Sequence, residues 1–124
     1  MNFQILSVAN AKAGNKPTAT FKITDDAGNP VLPSEAGSSY YLRVGYFKQS
    51  DYINDGMGDY GQPLSQSLAT ANADDSYTIA FAAAIPASAT GTGVAGMDGM
   101  RAYNIPATEK YPVRSANVGG NQVF

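Results

Sequence analysis

The sequence predicts one small domain built only from β-strands, with a sandwich as the expected architecture. The chain has 124 residues, the usual size of a single domain. Short runs alternate apolar and polar residues with a period of two, and Gly, Pro, Asn and Asp separate those runs. Hydrophobic residues make up 44% and charged residues 15% of the chain, which is too apolar for a disordered segment. We therefore expect residues 1–124 to form one domain of about seven short, mostly antiparallel strands.

The first part of the chain contains two strand patterns and a turn. Residues Asn2–Leu6 resemble a strand, and Thr18–Thr24 alternates strictly. The second run places Ala19, Phe21 and Ile23 on the face expected to be buried. Asp25–Pro30 then combines carboxylates, glycine and proline, which predicts a turn. We expect Val31–Leu32 to begin the returning strand.

The middle of the chain contains the run with the highest β-propensity. Ser39–Phe47 is rich in aromatic and β-branched residues. We expect its inward face to carry Leu42, Val44 and Tyr46. The following stretch, 49–67, is long, polar and rich in glycine, and we interpret it as a surface loop with a short turn of helix.

The last part of the chain alternates between strand patterns and small residues. Ser76–Phe81 predicts a strand with Tyr77, Ile79 and Phe81 inward. Ala82–Ala84 is compatible with about one helical turn before Pro86. Thr90–Tyr103 has too many glycines for a helix and fits a strand of small residues against a close neighbour. Two further short strands are expected, at Tyr111–Val113 and Gln122–Phe124.

The composition excludes several classes of function. The chain has no Cys, His or Trp, so it lacks thiolate nucleophiles, disulfides, zinc–thiolate ligands and the most common general base. Eight Lys and Arg are scattered in a chain of net charge −2, which argues against nucleic acid or acidic lipid as partners. No apolar run approaches the ~20 residues of a transmembrane helix. We predict a protein that is not an enzyme and has no catalytic, cofactor-binding or metal-binding residues.

Two acidic clusters are candidate sites. The loop from Asp51 to Asp59 carries oxygen ligands around glycine, as calcium sites do. An EF-hand-like register beginning at Asp51 places Ile53 and Gln62 at ligand positions, so a solvated loop is the favoured interpretation. The pairs Asp25–Asp26 and Asp74–Asp75 resemble an acid/base set, but turn sequences favour Asp for its bonds to nearby backbone.

Two other patterns admit a binding interpretation. Five tyrosines could form an exposed stacking platform, although strands select aromatic residues for packing and we favour buried rings. These are Tyr40, Tyr41, Tyr46, Tyr52 and Tyr60. Gly91–Gly96 spells G-x-G-x-x-G, but the glycine that follows at Gly99 opposes the helix that a dinucleotide site requires. We interpret this match as accidental.

Three segments together resemble a known family. Phe21–Val31 resembles the early strand and turn of the immunoglobulin-like domains in outer-membrane decahaem c-type cytochromes, the OmcA/MtrC family. Thr90–Gly99 is similar to a late glycine-rich strand there, and Tyr111–Val118 to the run that leads toward the haem-bearing part. The resemblance implies an immunoglobulin-like sandwich without haem. Met1 leads straight into a strand pattern and Asn121–Phe124 stops where another begins, so we expect both ends to be cuts from a longer protein.

The resemblance also implies a context for the domain. The parent protein would move electrons at the cell surface, with haem c attached elsewhere at Cys-x-x-Cys-His motifs, and would lie on the extracellular face of the outer membrane or in the periplasm. The expected partners of this domain are neighbouring haem domains and outer-membrane proteins. No haem-binding residue transfers to this chain, which has neither Cys nor His. A surface adhesion or carbohydrate-binding module, or a calcium-dependent accessory domain of an enzyme, remain the other interpretations.

Overall fold

The described part of the chain contains nine β-strands. The computed structural model describes residues 1–48, 51–53, 57, 61–64, 69–102 and 120–123, and side chains are not described at 48, 51–53 and 120–123. The strands are β1 (Asn2–Ala9), β2 (Thr18–Thr24), β3 (Ser39–Lys48), β4 (Asp51–Ile53), β5 (Gln62–Pro63), β6 (Thr70–Ala71), β7 (Tyr77–Ala80), β8 (Thr90–Met100) and β9 (Gly120–Val123). Across these ranges no helix is present, so the all-β prediction is confirmed.

The strands form two antiparallel sheets with an immunoglobulin-like order. One sheet runs β1-β2-β7-β6, and the other runs β4-β3-β8-β9 with β5 also paired to β3. In immunoglobulin letters these are A-B-E-D and C-F-G, with β4 added beside strand C. The predicted sandwich is therefore confirmed. The described residues contain nine strands rather than the expected seven. The difference comes from very short strands: β4, β5 and β6 have only three, two and two residues.

The core lies between the sheets and follows the predicted alternation. On β2 the three expected residues are buried, and on β3 burial falls on every second residue from Tyr40 to Tyr46. Phe3 of β1 reaches the other sheet, where its ring meets the Tyr40 ring edge-on at 5.9 Å between centroids. The rings of Phe21 and Tyr77, opposite each other on β2 and β7, stack at 6.0 Å. Aromatic contacts thus join both the strands and the layers.

Small residues on β8 allow close packing against β3. A Cβ atom added at Gly99 would lie 2.5 Å from the Ser39 carbonyl oxygen and 2.6 Å from Cδ1 of Tyr40. At the other end of the pairing, Gly91 has a φ of +69° beside a break in register between Tyr46 and Phe47. A β-bulge with a left-handed residue favours glycine. The prediction of a strand of small residues against a close neighbour is confirmed.

The expected surface loop at 49–67 is partly wrong. β4 and β5 lie within it and both pair with β3, while Met57 and Leu64 are buried in the core. Pairing continues past β5, where the Leu64 N–H donates to the Tyr40 carbonyl over 2.9 Å. Gln62 is also buried. Its side-chain oxygen accepts a 2.8 Å hydrogen bond from the Ala82 N–H, which satisfies this polar group inside the protein. The described residues of this stretch therefore contribute to the five-stranded sheet and to the core.

Three shorter segments were also predicted, and only one of them is observed as expected. No helical turn forms at Ala82–Ala84: Ala82 and Ala83 are bends, and the Ala82 N–H is bonded to Gln62. Val31–Leu32 is not a strand: Val31 is buried and donates its N–H to the Ile23 carbonyl at 2.8 Å, whereas Leu32 is exposed. The strand expected at 122–124 is observed as β9, while 103, 111–113 and 124 lie outside the described residues.

Candidate functional site

The two aspartate pairs lie at the same end of the four-stranded sheet. Phe21 of β2 is opposite Tyr77 of β7, so the turn after β2 and the turn before β7 are neighbours. Asp25 accepts hydrogen bonds within its own turn from the Ala27 N–H at 2.9 Å, the Asn29 N–H at 2.8 Å and the Asn29 side chain at 3.0 Å. The side-chain hydrogen bond from Asn29 is the main cause that lowers the pKa of Asp25. This carboxylate is a turn-forming group.

Asp74 has the same role in the second turn. It accepts hydrogen bonds from the Ser76 hydroxyl at 2.5 Å and the Ser76 N–H at 3.2 Å, and Lys22 Nζ lies 3.6 Å from its other oxygen. The Ser76 hydroxyl is the main cause that lowers the pKa of Asp74. A general acid at neutral pH needs a raised carboxyl pKa, so these two groups are not tuned for that role.

The tyrosines do not form the platform considered above, as far as they are described. Tyr40 is fully buried and Tyr46 is 4% exposed, while Tyr41 is half-buried on the outer face of β3. The side chains of Tyr52 and Tyr60 lie outside the described residues. The interpretation as packed strand residues holds for Tyr40 and Tyr46.

Of the remaining two sequence candidates, the structure describes one completely and the other only in part. Gly91–Gly96 lies within β8, so no helix opens there and the accidental interpretation is supported. The loop from Asp51 to Asp59 falls outside the described residues, apart from the backbone of β4 and Met57. In the described part of the chain no three Asp or Glu residues come together as metal ligands would.

A polar cluster that the sequence did not reveal surrounds Glu35. We call Glu35, Ser38, Tyr40 and Arg101 the Glu35 cluster. Arg101 holds the carboxylate with both its Nε, at 3.0 and 3.1 Å, and its Nη2, at 2.9 Å. The Ser38 hydroxyl donates to the same carboxylate at 2.8 Å and the Tyr40 hydroxyl at 3.3 Å. The backbone N–H of Ala102 donates to Ser38 Oγ at 2.9 Å, which completes the network.

The electrostatics of the cluster stabilise the charged forms of its ion pair. Burial raises the pKa of Glu35, but the hydrogen bonds from Arg101 and Ser38 outweigh it, and the pKa lies below the ordinary value. The hydrogen bond to Glu35 raises the pKa of Arg101. Burial raises the pKa of the Tyr40 hydroxyl, which therefore stays protonated.

The geometry of this cluster suits a brace better than a catalytic group. Both oxygens of the Glu35 carboxylate accept hydrogen bonds, Oε2 from Ser38, Tyr40 and Arg101 and Oε1 from Arg101. The lowered pKa of Glu35 does not suit a general acid at neutral pH. The cluster joins the segment before β3 to the end of β8, two parts of the chain 66 residues apart. The sequence analysis missed the cluster because the two partners of its ion pair are distant along the chain.

The opposite end of the sandwich contains a small open cavity. Its volume is about 230 Å³, below the range of about 300–1,000 Å³ typical of ligand pockets. Tyr46, Ile85 and the bulge of β8 line it together with the loop after β1. The Thr90 hydroxyl at its rim donates to the Phe47 carbonyl at 3.3 Å, so this polar group already has an internal partner. Lys12, Thr90 and Thr92 are polar side chains of the lining.

A third polar feature lies on the outer face of the five-stranded sheet. Arg43 Nε donates to Asp98 Oδ2 at 2.9 Å, and the Arg43 guanidinium carbon lies 6.0 Å from the centre of the Tyr41 ring. Both side chains of the ion pair are about a third exposed. Such a pair contributes little to stability in water.

Comparison of the chain with protein-family models, with curated proteins and with solved structures gives no match. Along the ranges that the structure describes, no helix has the length and apolar character needed to cross a membrane.

Proposed function

We propose that this chain is a non-catalytic scaffold domain of a cell-surface multihaem c-type cytochrome, whose haems lie outside residues 1–124. The observation that carries the proposal is the immunoglobulin-like strand order, β1-β2-β7-β6 against β4-β3-β8-β9, which the family resemblance implied. The resemblance supplies the cytochrome context, and the fold agrees with it.

The polar groups of the described residues support a structural role. Asp25 and Asp74 bond within their own turns, and Glu35 holds two distant segments together. Each of these charged groups has internal partners, as expected of a domain whose purpose is to keep its shape.

The direction of the outermost strands supports a position between neighbouring domains. β1 starts beside the turn that follows β2, because Asn2 is opposite Thr24. β9 runs away from that end, since Gly120 is opposite Met97 and Val123 is opposite Val94. A sandwich whose first and last strands run the same way can sit in line between two haem domains and fix their spacing.

The composition of the chain supports placing the haems in other parts of the parent protein. Covalent haem c attachment uses cysteines, and axial ligation most often uses histidine. The chain contains neither residue type. In this proposal the haems carry the current, and the sandwich sets their orientation and shapes the surface that meets the electron acceptor.

The test is a deletion in the parent protein in its native host. Removing residues 1–124 in frame should leave the haem content per molecule unchanged, as measured by haem absorbance against protein mass. The rate of reduction of a solid metal oxide by whole cells should fall, because haem orientation is lost. As a matched control, an unrelated sandwich of similar length inserted at the same position should restore part of that rate.

Two results would overturn the proposal. One is a parent gene that encodes no Cys-x-x-Cys-His motif outside this segment. The other is specific binding of the 124-residue chain to sugars on a glycan array, which would indicate the adhesion or carbohydrate-binding module instead.

A further inference from the structure

The cavity at the end of the sandwich opposite the Glu35 cluster has a wall that the fold holds in place. Two backbone hydrogen bonds join the loop after β1 to the segment before β8. The Gly14 N–H donates to the Ile85 carbonyl at 2.7 Å, and the Ile85 N–H donates to the Asn15 carbonyl at 2.8 Å. Within the loop, the Asn15 N–H donates to the Lys12 carbonyl at 2.9 Å. The backbone of Lys12 therefore has a set position beside the cavity.

Side chains of the same loop add further hydrogen bonds. The Asn15 side chain donates to Asn10 Oδ1 at 3.0 Å, and the Asn10 side chain donates to the Lys16 carbonyl at 3.1 Å. Asn10 has a φ of +56°, a left-handed conformation that asparagine adopts more readily than most residues. These contacts give the loop one defined shape, as binding sites that are formed in advance require.

The floor of the cavity is apolar. Ile85 is 3% and Tyr46 is 4% exposed, and both belong to the core. Three alanines, Ala11, Ala13 and Ala89, line the cavity around them. Gly91 and Gly93 of β8 also line it and add no side chain that could fill it. The floor therefore suits a hydrocarbon group.

One positive charge lies beside this apolar floor. Among the described lining residues, Lys12 is the only charged side chain, and it is exposed. The ion pairs that the described residues form do not include Lys12. A lysine ammonium group has three hydrogen-bond donors and no acceptor, so its natural partner is an anion. The lining is thus complementary to a molecule with an anionic head and an apolar tail.

The volume limits the size of that molecule. A water molecule takes up about 30 Å³ in the liquid, so the cavity of about 230 Å³ has room for about seven groups of that size. A straight-chain carboxylate of about four or five carbons has six or seven non-hydrogen atoms. We propose that the cavity binds such a free, short-chain monocarboxylate. Its carboxylate pairs with the Lys12 ammonium and its alkyl chain lies against Ile85 and the alanines.

The same features define which acids bind and how tightly. A dicarboxylate of equal length would bring a second charge against the apolar floor, where the described lining has no second cation, so it should bind more weakly. A ligand of six or seven atoms has a dissociation constant in the millimolar range. The inference goes beyond the scaffold role and stands whether or not the parent protein is a cytochrome.

The experiment is a titration of the isotope-labelled 124-residue chain with sodium butyrate at constant ionic strength, followed by two-dimensional NMR. Amide shifts should saturate at millimolar butyrate and lie in residues 11–15 and 89–93, which surround the cavity. Butyramide has the same shape without the charge and should bind about three- to fivefold more weakly, as expected for an exposed ion pair. Succinate should also bind more weakly than butyrate.

Two lysine variants form a matched pair. Lys12 and Lys16 are both exposed in the loop after β1, but only Lys12 lines the cavity. Lys12→Gln should remove the preference for butyrate over butyramide, whereas Lys16→Gln should keep it. A third variant, Ala89→Leu, fills the cavity and should weaken butyrate and butyramide alike. Circular dichroism melting confirms that each variant is folded.

Several results would overturn the proposal. One is a set of shifts that grow linearly without saturation or that spread over the whole surface, because this is the pattern of non-specific ion binding. Another is equal affinity for butyrate and butyramide. A preference for butyrate that survives in Lys12→Gln, or binding that Ala89→Leu leaves unchanged, would also place the ligand elsewhere.

Discussion

The two ends of the sandwich are built in different ways. At one end, the Glu35 cluster joins the segment before β3 to the end of β8 through an ion pair and three hydroxyl or amide donors. At the other end, small residues and a bulge of β8 surround an open cavity of about 230 Å³. The same pair of strands, β3 and β8, reaches both ends. We therefore expect substitutions at the Glu35 end to cost more stability than substitutions at the cavity end.

The largest expected effect comes from steric crowding at the braced end. Gly99→Ala places a Cβ atom within 2.6 Å of the Tyr40 ring and 2.5 Å of the Ser39 carbonyl oxygen, so β8 must move away from β3. We expect a loss of about 3 kcal/mol in the free energy of unfolding. Urea denaturation followed by circular dichroism measures it.

The matched control for that variant lies at the cavity end of the same strand. At Gly91 the nearest atom to an added Cβ is 3.6 Å away, and only the φ of +69° opposes a side chain. Gly91→Ala should therefore cost about 1 kcal/mol. Equal losses at the two glycines would contradict the contrast between the two ends.

The next effect in size comes from removing the charge of the brace. Glu35→Gln leaves Arg101 half-buried without its carboxylate, and hydrogen bonds to charged groups contribute about 2 kcal/mol. We expect a loss of that order in urea denaturation. As a control, Asp98→Asn breaks the more exposed pair with Arg43 and should cost about 0.5 kcal/mol or less. A Glu35→Gln loss as small as that of Asp98→Asn would show that the cluster is not a brace.

The pH dependence of stability should follow from the same carboxylate. The folded-state pKa of Glu35 lies below its ordinary value, so the folded protein binds fewer protons than the unfolded chain in the acid range. The stabilisation is fully present above the ordinary glutamate pKa and is lost as the pH falls through the lowered folded pKa. Melting temperatures measured from neutral to acid pH should therefore converge for the original chain and Glu35→Gln. Parallel curves would contradict this assignment.

The smallest effect is expected at the cavity end. Ala89 is half-buried in the wall of the cavity, so Ala89→Val adds apolar contact without crowding a closed core. We expect a gain of about 0.5 kcal/mol in the free energy of unfolding. Differential scanning calorimetry would detect the matching rise in melting temperature. A loss of more than about 1 kcal/mol would mean that this end is as tightly packed as the braced end.

The parts of the fold that the sequence predicted are those with a regular local pattern. Alternation identified β2, β3 and β7 with their buried faces, and glycine content identified β8. β4 and β5 were missed because strands of two or three residues are specified by the partner strand rather than by their own pattern.

The distinction between local and distant partners also explains which polar contacts could be predicted from the sequence. The turn roles of Asp25 and Asp74 were predicted because their partners lie within a few residues along the chain. The Glu35 cluster was not, since Arg101 is 66 residues away and only the tertiary fold brings the two together. Burial of Gln62 depends in the same way on the distant Ala82 N–H.

The pairing of β3 with β8 has a consequence for how the domain folds. Even the β3–β8 pair nearest along the chain, Phe47 with Thr90, is 43 residues apart, so this central contact closes a long loop before its hydrogen bonds can form. The β1–β2 hairpin, in contrast, pairs Ala9 with Thr18 across a short loop. Because loop closure costs entropy in advance, the hairpin is expected to form early and β3–β8 pairing to limit the rate, with folding in milliseconds to seconds. During that interval the uncharged β1 strand is already present without its opposing sheet.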